Sequence, residues 1–231
     1  MAIRHSSLPR FDLEQLKLRH PFAMILDGGR RTGKTQLIKN IILNRNRIIK
    51  PDIDHVIWFY AGAQEEVFRE ITKSMGEHRV EFVKGLPTSE SIDDGYLASR
   101  NGSKLVIIDD LMTDANKRED VNNLFTRGRH ENTSVALLVQ NFHNSGKHMR
   151  ENSLNTDYIA RFKSPRNQSG IVYLASQMGK REFIRDAYEK ATRSPFSYLF
   201  FDFRSDTPDE LRFRSDILAP YPRVFVEKNY K

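Results

Sequence analysis

Gly28-Gly29-Arg30-Arg31-Thr32-Gly33-Lys34-Thr35 has the spacing G-x-x-x-x-G-K-[ST] of a loop that wraps the phosphates of ATP or GTP. An apolar run at 22–26 leads into it and predicts a buried strand, and residues 36–44 place their apolar side chains on one helical face. In this order of strand, glycine loop and helix, backbone N–H groups and the positive helix end point at a phosphate. The segment therefore predicts a nucleotide site at the first strand of an α/β domain.

The residues of this loop have distinct expected roles. Lys34 reaches the β- and γ-phosphates, and the Thr35 hydroxyl binds Mg²⁺. A glycine-rich turn with a chance lysine is the alternative interpretation, and the flanking strand and helix disfavour it. The expected nucleotide-binding set is the loop and the residue after it: Gly28, Gly29, Arg30, Arg31, Thr32, Gly33, Lys34, Thr35 and Gln36.

A second motif farther along the chain ends in two carboxylates. The apolar segment that carries them, 104–110, suits a central strand of a parallel sheet that is covered on both faces, and we expect it beside the strand that precedes the loop. Asp109 would then hold Mg²⁺, mostly through water. Asp110 lies where a carboxylate can accept a proton from the attacking water. Taken alone, the motif is more typical of a strand followed by a solvated helix cap, and the upstream phosphate loop favours the metal site.

Two further polar features follow this motif. Gln140 ends a buried strand predicted at 134–141, where its amide can orient water beside a γ-phosphate or only cap the strand end. Arg127 and Arg129 lie in the basic segment 126–130. They can neutralise a phosphate in the same site, or in a neighbouring subunit's site as an arginine finger. An exposed helix end whose cations complement the dipole is the alternative.

The remaining sequence alternates strands and helices, which predicts a mainly parallel central sheet with helices on both faces and a C-terminal hairpin, as in a P-loop NTPase. We expect a single ATPase domain at 21–231 and a leader at 1–20 that packs on it through a short helix, capped by Asp12 and carrying Leu13, Leu16 and Leu18. The other predicted strands lie at 56–60, 80–83, 158–163 and 198–203, the last forming a hairpin with 211–214; helices lie at 65–75, 117–126, 170–178 and 181–192.

The composition of the chain indicates what kind of partner it binds and in which compartment it acts. The chain has 231 residues, of which 39% are hydrophobic. Its net charge of +7 is common in soluble proteins, but coupled with the predicted nucleotide site it favours a polyanionic partner, most simply nucleic acid. No apolar run approaches the roughly 18 residues of a transmembrane helix, and the first residues lack an apolar secretory core. We therefore expect no membrane span and an intracellular protein. The absence of cysteine excludes disulfides and thiolate metal sites.

Several segments resemble the viral genome-packaging ATPases of the FtsK/HerA superfamily, in the branch of poxviruses, large DNA viruses and virophages. The resemblance spans about Pro21 to Ile217 and is carried by the segments 124–130, 134–141, 157–166 and 202–212. It implies a homo-oligomeric ring in an infected host cell that hydrolyses ATP with Mg²⁺. It also implies that the ring drives double-stranded DNA, without sequence specificity, through a capsid vertex into a preformed capsid, and so associates with that capsid.

The resemblance also implies roles for individual residues. Many relatives carry glutamate where this chain has Asp110, and aspartate is one methylene shorter. Arg129 is the preferred finger and Arg127 the second choice. The implied set comprises Lys34 and Thr35 at the phosphates and metal, Asp109 at the metal, Asp110 as catalytic acid, Gln140 at the strand end, and Arg129 or Arg127 in trans.

DNA contacts and the class of enzyme remain open on the sequence. The basic loop at 142–150 can touch DNA phosphates through Lys147 and Arg150, or it is only a solvated loop. A kinase acting on a nucleotide or polynucleotide also combines a phosphate loop with arginines. A nucleotide-binding switch or scaffold is a third possibility.

Overall fold

The computed structural model describes residues 12–62, 64–87, 101–109, 111, 124, 131–140, 154–165 and 167–227. Most of the phosphate-site predictions fall within these ranges. Asp110, Arg127, Arg129 and the basic loop at 142–150 lie outside the described residues, as does nearly all of the helix predicted at 117–126.

The described ranges form a mixed α/β fold with short 3₁₀ helices at Leu13–Leu16, Glu77–Arg79 and Asp209–Leu211. The α-helices are α1 (Lys34–Leu43), α2 (Arg45–Ile48), α3 (Glu65–Met75), α4 (Ser169–Gln177) and α5 (Arg181–Ala191). The strands are β1 (Leu18–Arg19), β2 (Ala23–Asp27), β3 (Ile49–Lys50), β4 (His55–Tyr60), β5 (Val80–Lys84), β6 (Lys104–Asp109), β7 (Thr133–Val139), β8 (Tyr158–Phe162), β9 (Tyr198–Asp202), β10 (Phe213–Ser215) and β11 (Arg223–Val224).

The main sheet has the strand order β11-β10-β9-β8-β2-β7-β6-β4-β5. All neighbours from β8 to β5 pair in parallel, whereas β8, β9, β10 and β11 pair successively antiparallel. The sheet is therefore mixed and not purely parallel. The predicted C-terminal hairpin is the β9–β10 pair, which extends the sheet through β8.

One expectation about strand order is wrong. We expected the strand that carries Asp109 to lie beside the strand that precedes the phosphate loop, but β7 pairs with both β2 and β6 and separates them. Parallel neighbours are joined by crossovers, so the order of strands along the chain does not fix their order in the sheet. The end of β7, and with it Gln140, therefore lies between the two predicted phosphate-site strands.

The core lies on both faces of the sheet because successive side chains of a strand point to opposite sides. On one face, Met24 and Leu26 belong to a buried cluster that includes apolar residues of α1 and α3. On the other face, Ala23 and Ile25 belong to a cluster that includes apolar residues of α4 and α5. The central strands are thus covered from both sides, as their continuous apolar sequences predict.

The N-terminal segment packs on this core in a different way from the one expected. Its helix is a single 3₁₀ turn, with the Asp12 carboxylate accepting a hydrogen bond from the backbone N–H of Glu14 at 3.0 Å. Leu18, predicted to lie on that helix, instead lies in β1, which pairs in parallel with β3. The side chain of Leu18 is buried.

Candidate nucleotide site

The phosphate loop leaves β2 at a place where a side chain would not fit. The backbone N–H of Gly28 donates a hydrogen bond to the carbonyl of Val139 in β7 at 3.1 Å. A Cβ atom on Gly28 would lie 2.7 Å from both the Phe162 Cβ and the Thr32 Oγ1. Gly33, the last residue before α1, has a φ of 102° that L side chains rarely adopt. Contact with Phe162 and Thr32 therefore requires glycine at position 28, and the backbone conformation requires it at position 33.

Lys34 points back into the loop from the first turn of α1. Its Nζ donates hydrogen bonds to the carbonyls of Gly28 at 2.6 Å and Gly29 at 2.8 Å, and the residue is only 9% exposed. The Thr32 hydroxyl also donates to the Gly29 carbonyl, at 2.9 Å. The lysine ammonium is thus held inside the ring of backbone that the loop forms.

The surroundings of the loop favour an anion. Arg30 and Arg31 are exposed on the loop, and the first turn of α1 contains no acidic residue. The N-terminus of a helix carries a partial positive charge and unpaired N–H groups. Thr35 and Gln36 follow Lys34 on α1 and line a cavity of about 560 Å³ beside the loop.

Two predicted polar residues reach the same edge of the sheet as the loop. Asp109 is the last residue of β6 and pairs with Leu138, whereas Asp27, just before the loop, pairs with Val139. Two strand spacings of about 4.8 Å put Asp109 about 10 Å from the end of β2. Gln140 follows β7 directly and therefore lies between them. The structure thus brings Gly28, Asp109 and Gln140 together at the carboxyl edge of the parallel strands.

A residue that the sequence did not single out contacts Asp109. The side-chain amide of Gln64, immediately before α3, donates a hydrogen bond to Asp109 Oδ2 at 2.9 Å. Asp109 itself is buried. The amide therefore fixes one oxygen of the carboxylate. No sequence pattern links positions 64 and 109, because β4 and β6 become neighbours only in the folded sheet.

A buried ion pair lies directly beneath the loop and was also missed. Arg161 of β8 binds the carboxylate of Asp27, and both side chains are essentially inaccessible to solvent. The Nη2 of Arg161 also donates a hydrogen bond to the carbonyl of Asn167 at 2.5 Å. The pair connects the end of β2 to β8 and to the turn before α4. The position of Asp27 at the end of an apolar run was the available signal, but the run does not identify its partner.

The neighbouring end of β8 is tied to α5. Tyr188 donates a hydrogen bond from its hydroxyl to the Phe162 carbonyl at 2.9 Å and accepts one from the Ser164 N–H at 3.1 Å. Burial raises the pKa of Tyr188, so its hydroxyl stays protonated near neutral pH. Phe162, whose ring packs on the loop glycines, is thereby fixed in place.

Two further properties of the described part of the chain concern membranes and metal ions. None of its helices has the length and apolar character that crossing a bilayer requires. Among the same residues, no three His, Cys, Asp or Glu side chains are grouped so that they could hold a metal ion by themselves.

The family profile described as "Poxvirus A32 protein" matches residues 8–158. No curated protein matches the chain in sequence.

Among solved structures, the chain is similar to the cytoplasmic domain of the Thermomonospora curvata type VII secretion ATPase EccC, with 14% identity and a TM-score of 0.48 over 81% of this chain. It is also similar to T. curvata EccC (ATPases 2 and 3) in complex with a signal sequence peptide, with 9% identity and a TM-score of 0.41 over 63% of this chain. The chain covers only 25% and 30% of those two structures.

Proposed function

The chain belongs to the poxvirus A32 protein family, a family of viral genome-packaging ATPases, and we propose that it hydrolyses ATP to drive double-stranded DNA into a preformed capsid. The observation that supports this most directly is the position of Lys34. Its ammonium is held within the loop by the Gly28 and Gly29 carbonyls, at the N-terminus of α1. Phosphate oxygens of ATP would become its stronger, charge-assisted partners there.

The residues at this edge fit Mg²⁺ as a cofactor. Mg²⁺ prefers oxygen ligands, keeps several waters and is bound by one or two protein groups together with substrate phosphates. Thr35 supplies a hydroxyl at the loop, and Asp109 supplies a carboxylate whose Oδ2 is oriented by Gln64. When bound, Mg²⁺ would neutralise charge on the phosphates. The separation of about 10 Å between the ends of β2 and β6 leaves room for its water ligands.

Hydrolysis requires groups that act on water and on the developing charge. We assign Asp110 as the base that accepts a proton from the attacking water and Gln140 as the amide that orients this water. Arg129, with Arg127 as the second choice, would neutralise the phosphates of the neighbouring subunit's ATP. These roles come from the sequence and from its resemblance to the viral genome-packaging ATPases. The role of Gln140 is also supported by the position of this residue between β2 and β6.

The proposed partners follow from the same motor function. A homo-oligomeric ring would hold duplex DNA through contacts with its phosphates, which a net charge of +7 favours. Such contacts carry no sequence information, as a translocating motor requires. The ring would act in the infected cell at a vertex of the capsid.

The proposal is tested by measuring release of inorganic phosphate from ATP with and without duplex DNA, together with the mass of the assembled species. We expect Mg²⁺-dependent release that duplex DNA stimulates and that rising salt suppresses, because phosphate contacts weaken as salt increases. The Lys34→Ala variant, expected to lose turnover, is the control for contaminating ATPases.

Other outcomes would replace the proposal with a different function. Transfer of the γ-phosphate to an added nucleoside or DNA end would identify a nucleotide or polynucleotide kinase. Nucleotide binding without turnover under any DNA or capsid condition would identify a switch or scaffold.

A further inference from the structure

The cavity beside the phosphate loop has an apolar wall that phosphate binding does not explain. Its volume of about 560 Å³ lies within the usual range of small-molecule sites. The loop and α1 form one side, where Gln36 and Asn40 contribute amides. The C-terminal part of the chain contributes the apolar wall, which consists of Phe196, Tyr198 and Leu218.

Phe196 is the most unusual residue of this wall. The residue is 68% exposed, although a large apolar ring is normally buried. Its φ of 62° lies in the left-handed region, which a bulky residue rarely adopts because its backbone is strained there. The fold therefore holds an exposed aromatic ring at the edge of the cavity in a strained backbone conformation.

The ring is also positioned relative to the phosphate loop. A Cβ on Gly33 would lie 3.3 Å from the Phe196 Cβ, so the phenylalanine packs directly on the residue that precedes α1. Behind it, the Tyr198 ring lies 5.2 Å from the Phe162 ring, and Phe162 contacts Gly28. The Tyr198 hydroxyl accepts a hydrogen bond from the Ile217 N–H at 3.3 Å. The apolar wall is thus anchored to the loop on one side and to the C-terminal segment on the other.

We propose that this cavity binds the base of the nucleotide, with the planar ring of the base packed against Phe196. This inference rests on the proposed function, because it requires the triphosphate to lie in the loop. From there a sugar and base can extend along α1 into the cavity. Aromatic rings bind bases through their faces, and this contact tolerates different bases. The side-chain amides of Gln36 and Asn40, elsewhere in the lining, can each donate or accept hydrogen bonds, so the cavity accommodates planar bases in general and not adenine alone.

The test compares ATP with inorganic tripolyphosphate, which has the phosphates but no base. Phe196→Gly removes the ring and relieves the strained φ, so loss of the ring is not confounded with backbone strain. We expect the dissociation constant for Mg·ATP, measured by calorimetry, to rise roughly 5- to 100-fold in this variant. The dissociation constant for Mg·tripolyphosphate should stay within about twofold of the wild type.

Two further variants sharpen the comparison. Phe196→Trp retains an aromatic face and should restore ATP affinity, and its fluorescence should change with ATP but not with tripolyphosphate. The native Trp58 is fully buried and gives a constant background. Tyr221→Ala removes another exposed aromatic ring, 83% accessible and not part of the cavity wall, and should bind both ligands like the wild type.

The outcomes separate this inference from the proposed function. If the wild type bound neither ATP nor tripolyphosphate, the loop would not be a nucleotide site and both proposals would fall. If the wild type bound both, but Phe196→Gly kept normal ATP affinity or lost both ligands equally, the base site would be wrong and the ATPase proposal would stand.

Discussion

At the scale of single residues, the phosphate loop depends on the absence of side chains at defined places. Gly28 lies against Phe162 and Thr32, whereas at Gly62 no described residue beyond its chain neighbours has an atom within 4 Å of the place where a Cβ would be. Two glycines of the same chain thus differ in whether a methyl group can be accommodated. Sequence identified Gly28 by its motif, but only the packing explains why that residue cannot be larger.

Gly28→Ala should lose nucleotide binding by at least about tenfold and lower the free energy of unfolding by about 1–3 kcal/mol, because the added methyl group must displace packed atoms. Gly62→Ala is the matched control and should leave both quantities nearly unchanged. Calorimetric ATP titration and urea unfolding measure them. Equal behaviour of the two variants would show that the contact with Phe162 does not constrain the loop.

Gln64→Ala should weaken Mg²⁺-dependent ATP turnover by about 10- to 100-fold, the usual range for a residue that orients a metal ligand. The physical reason is the loss of the hydrogen bond that fixes Asp109 Oδ2. The Gln64→Ala variant should also need a higher Mg²⁺ concentration for half-maximal activity. Glu65→Ala, at the exposed neighbouring position, serves as control. An unchanged Mg²⁺ requirement in Gln64→Ala would remove Gln64 from the site.

At the scale of secondary structure, buried charges join elements that are distant in the chain. The Asp27–Arg161 pair connects β2 to β8 beneath the loop. A second buried pair, Asp202–Arg214, connects β9 to β10, and there burial raises the pKa of Asp202 and lowers that of Arg214. A buried ion is costly without its partner, so each pair holds its two strands in one arrangement.

Arg161→Met should lower the free energy of unfolding by about 3–5 kcal/mol, because it leaves the Asp27 carboxylate buried without its cation. The double variant Asp27→Leu with Arg161→Met should recover much of this loss. Lys190→Met, which breaks an exposed pair with Asp186 on α5, should leave the unfolding midpoint unchanged. A double variant no more stable than Arg161→Met would show that the ion pair is itself stabilising.

At the scale of the whole molecule, the N-terminal segment is joined to the start of β7, at the end of the parallel strands opposite the phosphate loop. His20 binds the Ser134 Oγ through Nδ1 at 2.7 Å and the Asn132 Oδ1 through Nε2 at 2.9 Å. An amide oxygen can only accept, so Nε2 carries the proton and Nδ1 accepts from the hydroxyl, as in a neutral ring. Burial lowers the pKa of His20 below its usual value. The nearby Asp54 carboxylate raises this pKa and the Lys104 ammonium lowers it, but burial has the largest effect.

Stability should therefore fall as pH drops below about 6.5, the ordinary pKa of histidine, because the unfolded chain then binds a proton that the folded chain does not. The raised pKa of Asp202 acts in the opposite sense at lower pH, so the comparison must isolate His20. In His20→Gln, the decline of the unfolding free energy between pH 7.5 and 5.5 should be shallower than in the wild type. If the unfolding free energy, measured by urea titration at each pH, declined equally in both proteins, His20 would not be a neutral buried ring.

The local parts of this fold follow closely from its sequence. The helix predicted at 65–75 is α3, the strand predicted at 104–110 is β6, and the glycines of the phosphate loop lie where their spacing placed them. Periodicity and glycine chemistry act over a few residues, so the sequence by itself determines these features. The short strands β1, β3 and β11 were missed because two residues carry too little pattern.

Tertiary structure alone decided how these parts meet. It placed β7 between the loop strand and the strand of Asp109, gave Asp109 its partner Gln64, joined Asp27 to Arg161, and turned Phe196 toward the cavity beside α1. These contacts join residues far apart in the chain, and the packing of the whole sheet with its two helical layers selects them. A neighbouring-residue pattern contains no information about such partners.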